Sequence, residues 1–395
     1  MEATVTNKRL HIILRHPMQL CRRAGLFPVE GLDKETITKL RFNMSTVYAL
    51  YHVATLVSQM TLACLSIYYF FKNDLKLNNL KNLLFYTTGL ISAFLLLKLA
   101  KNWPRLIRRA SHIEQLVAEV QQDTGKGWKQ DKIVYGVMLL ALLEHVLSIT
   151  FQMKLVMHCN HDFKIDLNLI KNYFIRTTPV VFGITTYTEW KATLYEIANL
   201  QATFLWNITD AITMCTSLYL ASYFKDLNKL IKRQEKQNAV NWKEIRVFYS
   251  YLVELVNAVD ENMCYLILMS FFTNLFFICI QLYYLTKYDD SVFEGCDIHH
   301  DQNRIKLVFD SWEHTLYYAF SFIFLFTRAS VTSLLAANIN TLAQQPLIVL
   351  QNVSPSEYTI DVQRFIRQIR YTTTALSGLF FYITRGMIIT VSYYY

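Results

Sequence analysis

Residues 45–71, STVYALYHVATLVSQMTLACLSIYYFF, contain no Asp, Glu, Lys or Arg and close on Lys72. As a helix, an apolar stretch of about 20 residues or more matches the hydrocarbon thickness of a bilayer. Comparable runs follow at 82–100, 133–157, 196–222, 263–285, 314–337 and 374–391. Seven membrane spans are therefore expected, and the chain reads as an all-α integral membrane protein. Composition agrees: 53% of the 395 residues are hydrophobic and 17% are charged, against roughly 25% charged in soluble domains. With 10 Gly and 6 Pro, the chain is neither collagen-like nor low-complexity. An ordinary cytosolic enzyme is disfavoured.

The distribution of Lys and Arg sets the orientation. Residues 1–44 and the second, fourth and sixth loops hold 25 of them, and the first, third and fifth loops hold 10. Positive charge is retained in the cytosol, so the N-terminus is expected inside and the C-terminus outside. Lys8, Arg9, Arg15, Arg22 and Arg23 leave no apolar core for a signal peptide. The resulting layout begins with a cytosolic arm at 1–44. Spans one to four occupy 45–222, with an outer loop at 158–195, and a cytosolic helical extension follows at 223–262. Spans five and six cover 263–337, a cytosolic segment covers 338–373, and the seventh span covers 374–395. The stretch 179–193, broken by Pro179, Gly183, Glu189 and Lys191, reads as a structured loop. Residues 103–120 and 224–262 mix charges with apolar residues at helical spacing. They are expected to continue the spans below the membrane, with a helix starting near Pro104. The net charge of +9 is this loop excess. No basic block with interleaved aromatics indicates a nucleic-acid partner; lipid is the expected surrounding.

An ionisable side chain inside a span costs about 2.5–3.5 kcal/mol and needs a partner or a watery cavity. Asp210 lies 14 residues beyond Glu196, and Arg328 lies 14 beyond His314. Both helices enter from outside, so at about 1.5 Å per residue the two reach similar depth. An Asp210–Arg328 pair is expected, and Glu144 with Arg385 is a second candidate pair. The outer halves collect aromatics, amides and hydroxyls. Candidate ligand contacts there are His145, Tyr187, Trp190, Trp206, Asn207, Asn274, Gln281, Asp310, Trp312 and His314, with Tyr86, Thr88, Asn199 and Gln201 nearby. Such a lining suits a sugar, whose hydroxyls need donors and acceptors and whose C–H faces stack on rings. The alternative is interfacial aromatics and polar residues that pack the bundle.

Of seven cysteines, only Cys159 and Cys296 fall in outer loops, where an oxidising exterior lets them pair. The alternative is two unrelated thiols. The segments HCNHD (158–162) and CDIHHD (296–301) could also hold a metal, but a disulfide uses the same two cysteines more simply. No Walker motif, G-x-S-x-G, H-E-x-x-H or glycine fingerprint occurs, and no nucleophile stands beside a base. Neither catalysis nor a cofactor is expected.

Several segments carry a resemblance: GLFPVEGL (25–32), LRF (40–42), LLEHVLS (142–148), FLWNITD (204–210), the run 253–282, RFIRQI (364–369) and ALSGLFFYITRGMIITV (375–391). In this order, and over nearly the whole chain, they resemble the sugar-sensing branch of the insect gustatory receptors. The resemblance implies a seven-helix subunit with a cytosolic N-terminus in the plasma membrane of a taste neuron. It implies a ligand-gated, non-selective cation channel, assembled as a homo- or hetero-tetramer with related subunits. Sugar is then expected in an outward pocket of each subunit, and the last helix is expected to line a shared pore. Members of that family continue with a Thr-Tyr pair, apolar residues and a closing Gln-Phe, whereas this sequence closes on VSYYY (391–395). The pore-lining half is thus expected to be altered, with Ser392 and Tyr393 as the nearest pore candidates. The rival readings are a receptor for another tastant, such as a bitter compound, and a polytopic transporter.

Overall fold

A computed structural model describes residues 9–34, 37–73, 76–120, 131–160, 167–237, 240–286, 312–355 and 357–387. The chain opens with α1 (Leu10–Arg23) and two short antiparallel strands, β1 (Val29–Glu30) and β2 (Arg41–Phe42), which pair Val29 with Phe42. Then come α2 (Val47–Lys72), α3 (Leu77–Val120) and α4 (Asp131–Asn160). The short outer helices α5 (Leu167–Thr177) and α6 (Pro179–Phe182) precede α7 (Glu189–Lys236), α8 (Trp242–Thr286) and α9 (Trp312–Gln344). Two shorter helices follow, α10 (Pro346–Gln351) and α11 (Ile360–Tyr371). Pro179 and Pro346 each sit at the first turn of their helix, where a missing N–H costs nothing.

The helices α2, α3, α4, α8 and α9 are each long and apolar enough to cross a membrane. In lipid a lone apolar segment satisfies its backbone only as helix. The 48-residue α7 carries too many hydroxyls and amides to match their apolar character. It is instead the most enclosed element: every side chain from 207 to 217 is buried, against α3, α4, α8 and α9. Its polar groups thus face neighbouring helices rather than lipid, while Val47, Leu139, Leu142 and Phe326 on the outer helices stay exposed.

At about 1.5 Å per residue, α3, α7 and α8 run to roughly twice the bilayer core of about 30 Å. Their inner halves form the main core, where Trp103, Tyr219, Phe224, Phe248, Tyr249 and Phe365 are fully buried. The amphipathic α1 lays Leu10, Leu14, Met18 and Cys21 into this core. Its first residue is anchored by a buried acid: Glu114 Oε1 accepts from the Leu10 N–H at 2.7 Å and from the Tyr219 hydroxyl at 2.5 Å. Burial pushes the Glu114 carboxyl up to about 7. On the far side, α11 packs along α8 through the Phe365 and Tyr249 rings, 5.2 Å apart, and the Arg246–Asp361 pair at 3.4 Å.

Two expectations are corrected. Pro104 does not start a helix; it lies inside the continuous 44-residue α3, which runs on past the apolar stretch without a break. The expected seventh span at 374–391 is not helical over 374–384. Ser377 and Tyr382 form an antiparallel bridge, and Leu379 takes a positive φ of 65°, which no helix accommodates. The backbone finds partners outside a helix here: the Ser377 N–H donates to Asp260, and the Ile383 N–H donates to the Leu376 carbonyl. Helix resumes only at 385–387.

Candidate ligand site

The polar residues of α8 recur at 270, 274 and 281, and those of α9 at 321 and 328. Spacings of four and seven keep each set on one helix face. Because α8 and α9 run in opposite directions, the two stripes meet as two polar rungs about 10 Å apart along the helices.

The inner rung is an ion pair in a cage of amides. Arg328 and Asp210 are 4% and 0% exposed. Arg328 Nε lies 2.9 Å from Asp210 Oδ2, a Coulombic contact whose N–H is not aimed at the oxygen. Ser270 donates to Asp210 Oδ1, and Asn274 Nδ2 donates to Oδ2 at 3.0 Å. The guanidinium donates through Nη1 to Asn207 Oδ1 and through Nη2 to Asn274 Oδ1 at 3.0 Å. It also lies over the Trp206 ring, 4.6 Å from its centroid, where the ring face attracts a cation. Trp206 Nε1 donates to Asn274 Oδ1 at 3.0 Å. A charge pair inside a bundle survives only with its remaining donors and acceptors satisfied, and Asn207, Ser270 and Asn274 do this.

The outer rung is Gln281 Nε2 donating to Ser321 Oγ at 3.0 Å, and Ser321 donating to Glu144 at 2.8 Å. Tyr317 stands beside Ser148 and Gln281. Glu144 is therefore not paired with Arg385, which is exposed in the segment after the turn at 377–382. That sequence expectation fails because 374–384 is not a span, so Arg385 never reaches the level of α4. The neighbouring His145 turns to α7, where it meets Glu196 at 3.2 Å. On the other side of α7, the Tyr86 hydroxyl meets that of Tyr195 at 2.8 Å and donates to Asn199 at 3.3 Å. Between these patches stand three rings: Trp206 and Phe277 with centroids 4.8 Å apart, and Phe85 at 6.2 Å from each.

The remaining sequence candidates divide between rim and cap. Trp190 and Trp312, 63% and 69% exposed, sit at the outer ends of α7 and α9, under Lys191 and Lys154 respectively. Tyr187 packs in the outer cap with Phe174 and Phe182, and buried His314 packs against Phe151 and Tyr318. Gln201 points the other way, toward the Ala24 carbonyl and Thr55. Asp310, Cys296, Ser392, Tyr393 and the side chain of Cys159 lie outside the described residues. Sequence reading missed Ser270, Ser321, Tyr195, Phe85 and Phe277. The stripe spacing on α8 and α9 was the available signal for the two serines; the rings carried none.

Among the described residues, α3, α7 and α8 pack closely around Trp206. The cavity between α3, α7 and α8, bordered by Thr88, Gly89, Trp206 and Ser270, measures about 10 Å³, enough for about one water and far less than a sugar. Among the described residues, no group of three His, Cys, Asp or Glu is placed to hold a metal.

The sequence pattern of the trehalose receptor family matches residues 2–295 and 303–393. The chain belongs to that family. Its relatives place it in the sugar branch of the insect gustatory receptors. It is 26% identical to the Drosophila melanogaster gustatory receptor for sugar taste 64f, covering 99% of this chain and 80% of that one. It is also 26% identical to the gustatory receptor 5a for trehalose of the same fly, over 93% of this chain and 78% of that one. The fold of this receptor is similar to that of the insect olfactory receptor OR5 from Machilis hrabei, solved in complex with eugenol. The TM-score is 0.65, covering 96% of this chain and 94% of that one at 11% identity, which is a likeness of fold. This is a receptor-type membrane protein rather than an enzyme.

Proposed function

We propose that this receptor is a sugar-gated, non-selective cation channel subunit of a taste-neuron plasma membrane, working as a homo- or hetero-tetramer with related subunits. The observation that carries the reading is the family match along nearly the whole chain, with relatives named for sugar and trehalose taste. The chemistry of the outer half supports it: hydroxyls and amides on α3, α7, α8 and α9 surround a trio of rings, the combination that recognises a carbohydrate. The lipid-facing apolar helices and the excess of Lys and Arg in the N-terminal arm and the second, fourth and sixth loops support a multi-pass membrane protein with a cytosolic N-terminus. Sugar opens the channel if it binds the open form more tightly than the closed form, so opening also has to enlarge the small cavity beside Trp206.

The test is current recording from cells expressing this chain, with and without a related subunit, during application of mono- and disaccharides. A sugar-evoked cation current supports the proposal. Uptake of labelled sugar without current would show a transporter, and currents evoked by bitter compounds alone would show a receptor for another tastant. An N-terminal epitope accessible on intact cells would overturn the orientation.

A further inference from the structure

Between α11 and residues 385–387 the chain makes one tight turn. Inside it the Gly378 N–H donates to the Phe381 carbonyl at 2.8 Å, and the Ile383 N–H donates to the Leu376 carbonyl at 2.9 Å. Leu376 and Ile383 are fully buried, and the Phe381 ring meets Phe271 of α8 edge-on at 5.7 Å. Side chains of α8 and α9 tie this turn to the bundle, and one of them makes two short bonds to it. Asp260 of α8 accepts from the Ser377 N–H through Oδ1 at 2.6 Å and from the Ser377 hydroxyl through Oδ2 at 2.7 Å. From α9, Asn340 Nδ2 donates to the Thr374 carbonyl at 3.3 Å. Asp260 stands three residues before the apolar run that begins at 263, so the clip lies just under the inner membrane face.

Two short hydrogen bonds to one carboxylate are geometrically demanding. The turn cannot slide along α8 without breaking both. The helices that hold it, α8 and α9, also carry Ser270, Asn274 and Arg328 of the inner rung.

We infer that Asp260 is a positioning residue for gating: through Ser377 it fastens the start of the final helix to α8 and α9, so that movement of those helices on ligand binding is passed to that helix. This inference rests on the channel reading above. A merely structural Asp260 lowers the amount of folded protein. A coupling Asp260 changes the response of the protein that does reach the surface.

Asp260→Ala and Ser377→Ala are compared with the unaltered chain, with currents normalised to surface receptor. Each variant is expected to shift the half-maximal sugar concentration, or the ratio of basal to maximal current, by about tenfold. That is the size expected for losing one hydrogen bond to a charged group. Ser377→Ala keeps the backbone N–H bond to Asp260, so its shift is expected to be the smaller of the two. The double variant is expected to do no more than Asp260→Ala alone, and Asp260→Asn, which retains an acceptor for the Ser377 N–H, is expected to restore part of the response. A paired Asp260→Cys and Ser377→Cys variant is then treated with a short bis-thiosulfonate cross-linker. Because the clip transmits movement while it is closed, cross-linking is expected to restore the sugar response that the unlinked cysteine pair has lost, and reductant is expected to remove it again, with neither effect in the single-cysteine controls. Alanine-variant responses within twofold of the unaltered chain, failure of the cysteine pair to cross-link, or no recovery of gating in the cross-linked receptor each overturn the inference. Absence of any sugar-evoked current in the unaltered chain refutes the channel reading itself and the coupling with it. In that case the cross-link still reports, on a gel after cleavage between the two positions, whether Asp260 and Ser377 touch.

Discussion

Removing one half of the Asp210–Arg328 pair costs more than removing both. Both side chains are almost wholly enclosed, at 0% and 2% exposure, with 2.9 Å between Asp210 Oδ2 and Arg328 Nε. Asp210→Leu leaves a guanidinium without a counter-charge among helices and lipid, a loss of about 3–5 kcal/mol. Arg328→Met leaves a carboxylate that Ser270 and Asn274 still serve, which places it near the lower end, about 3 kcal/mol. In the double variant both charges are gone. Asn207 Oδ1 loses its donor from Arg328, which costs about 1–3 kcal/mol, while Trp206 still donates to Asn274 and Asn274 Nδ2, deprived of Asp210, keeps Ser270 Oγ at 3.4 Å. The singles then sum to about 6–8 kcal/mol against about 1–3 for the double, a coupling of at least about 3 kcal/mol. Thermal inactivation of the solubilised receptor, followed by the folded peak in size-exclusion chromatography, ranks the four proteins. The double variant is expected to outlast Asp210→Leu. A double variant whose loss equals the sum of the singles would refute the argument, because additivity means the two groups do not sense one another.

Glu114 makes docking of α1 depend on pH. Its carboxyl rises from an ordinary 4.5 to about 7 in the folded receptor, so the folded state holds the proton more tightly. That contribution is full below about pH 4.5 and disappears as pH rises through 7, spanning about 3 kcal/mol. Hydrogen-exchange protection of the α1 amides, corrected for intrinsic rates, is expected to fall over this window and to flatten in Glu114→Gln; an identical slope in both proteins contradicts it. Gly378→Ala places a Cβ 2.4 Å from the Phe381 ring, and overpacking of this kind costs about 1–3 kcal/mol. Its inactivation midpoint is expected to drop, whereas Gly386→Ala, whose new carbon meets Thr384 at an ordinary 3.9 Å, is expected to leave it unchanged; equal midpoints defeat the reading of a rigid turn. Tyr86→Phe removes the hydroxyl shared with Tyr195 and Asn199. It is expected to shift the half-maximal sugar concentration by about five- to tenfold at constant surface density, about 1 kcal/mol. A superimposable dose–response curve excludes Tyr86 from the lining.

What could be read along the chain was whatever depends on local composition or on counting residues. Apolar runs marked the elements that became α2, α3, α4, α8 and α9, because lipid forces such runs into helix whatever surrounds them. Equal residue counts from the outer ends set Asp210 and Arg328 at one depth, because helical rise is constant. Tertiary structure decided the rest. Asn207, Ser270 and Asn274 complete the ion pair from separate helices, and no spacing within one segment foretells that meeting. Glu144 and His145 are adjacent in sequence yet serve α9 and α7, since successive helical residues point about 100° apart. The run 374–384 is apolar enough to suggest a span, but Asp260, more than a hundred residues earlier, offers its backbone better hydrogen bonds as a turn. The cavity beside Trp206 is small because side chains from α3, α7 and α8 fill the space between them, a balance set by packing between helices and invisible in any one of them.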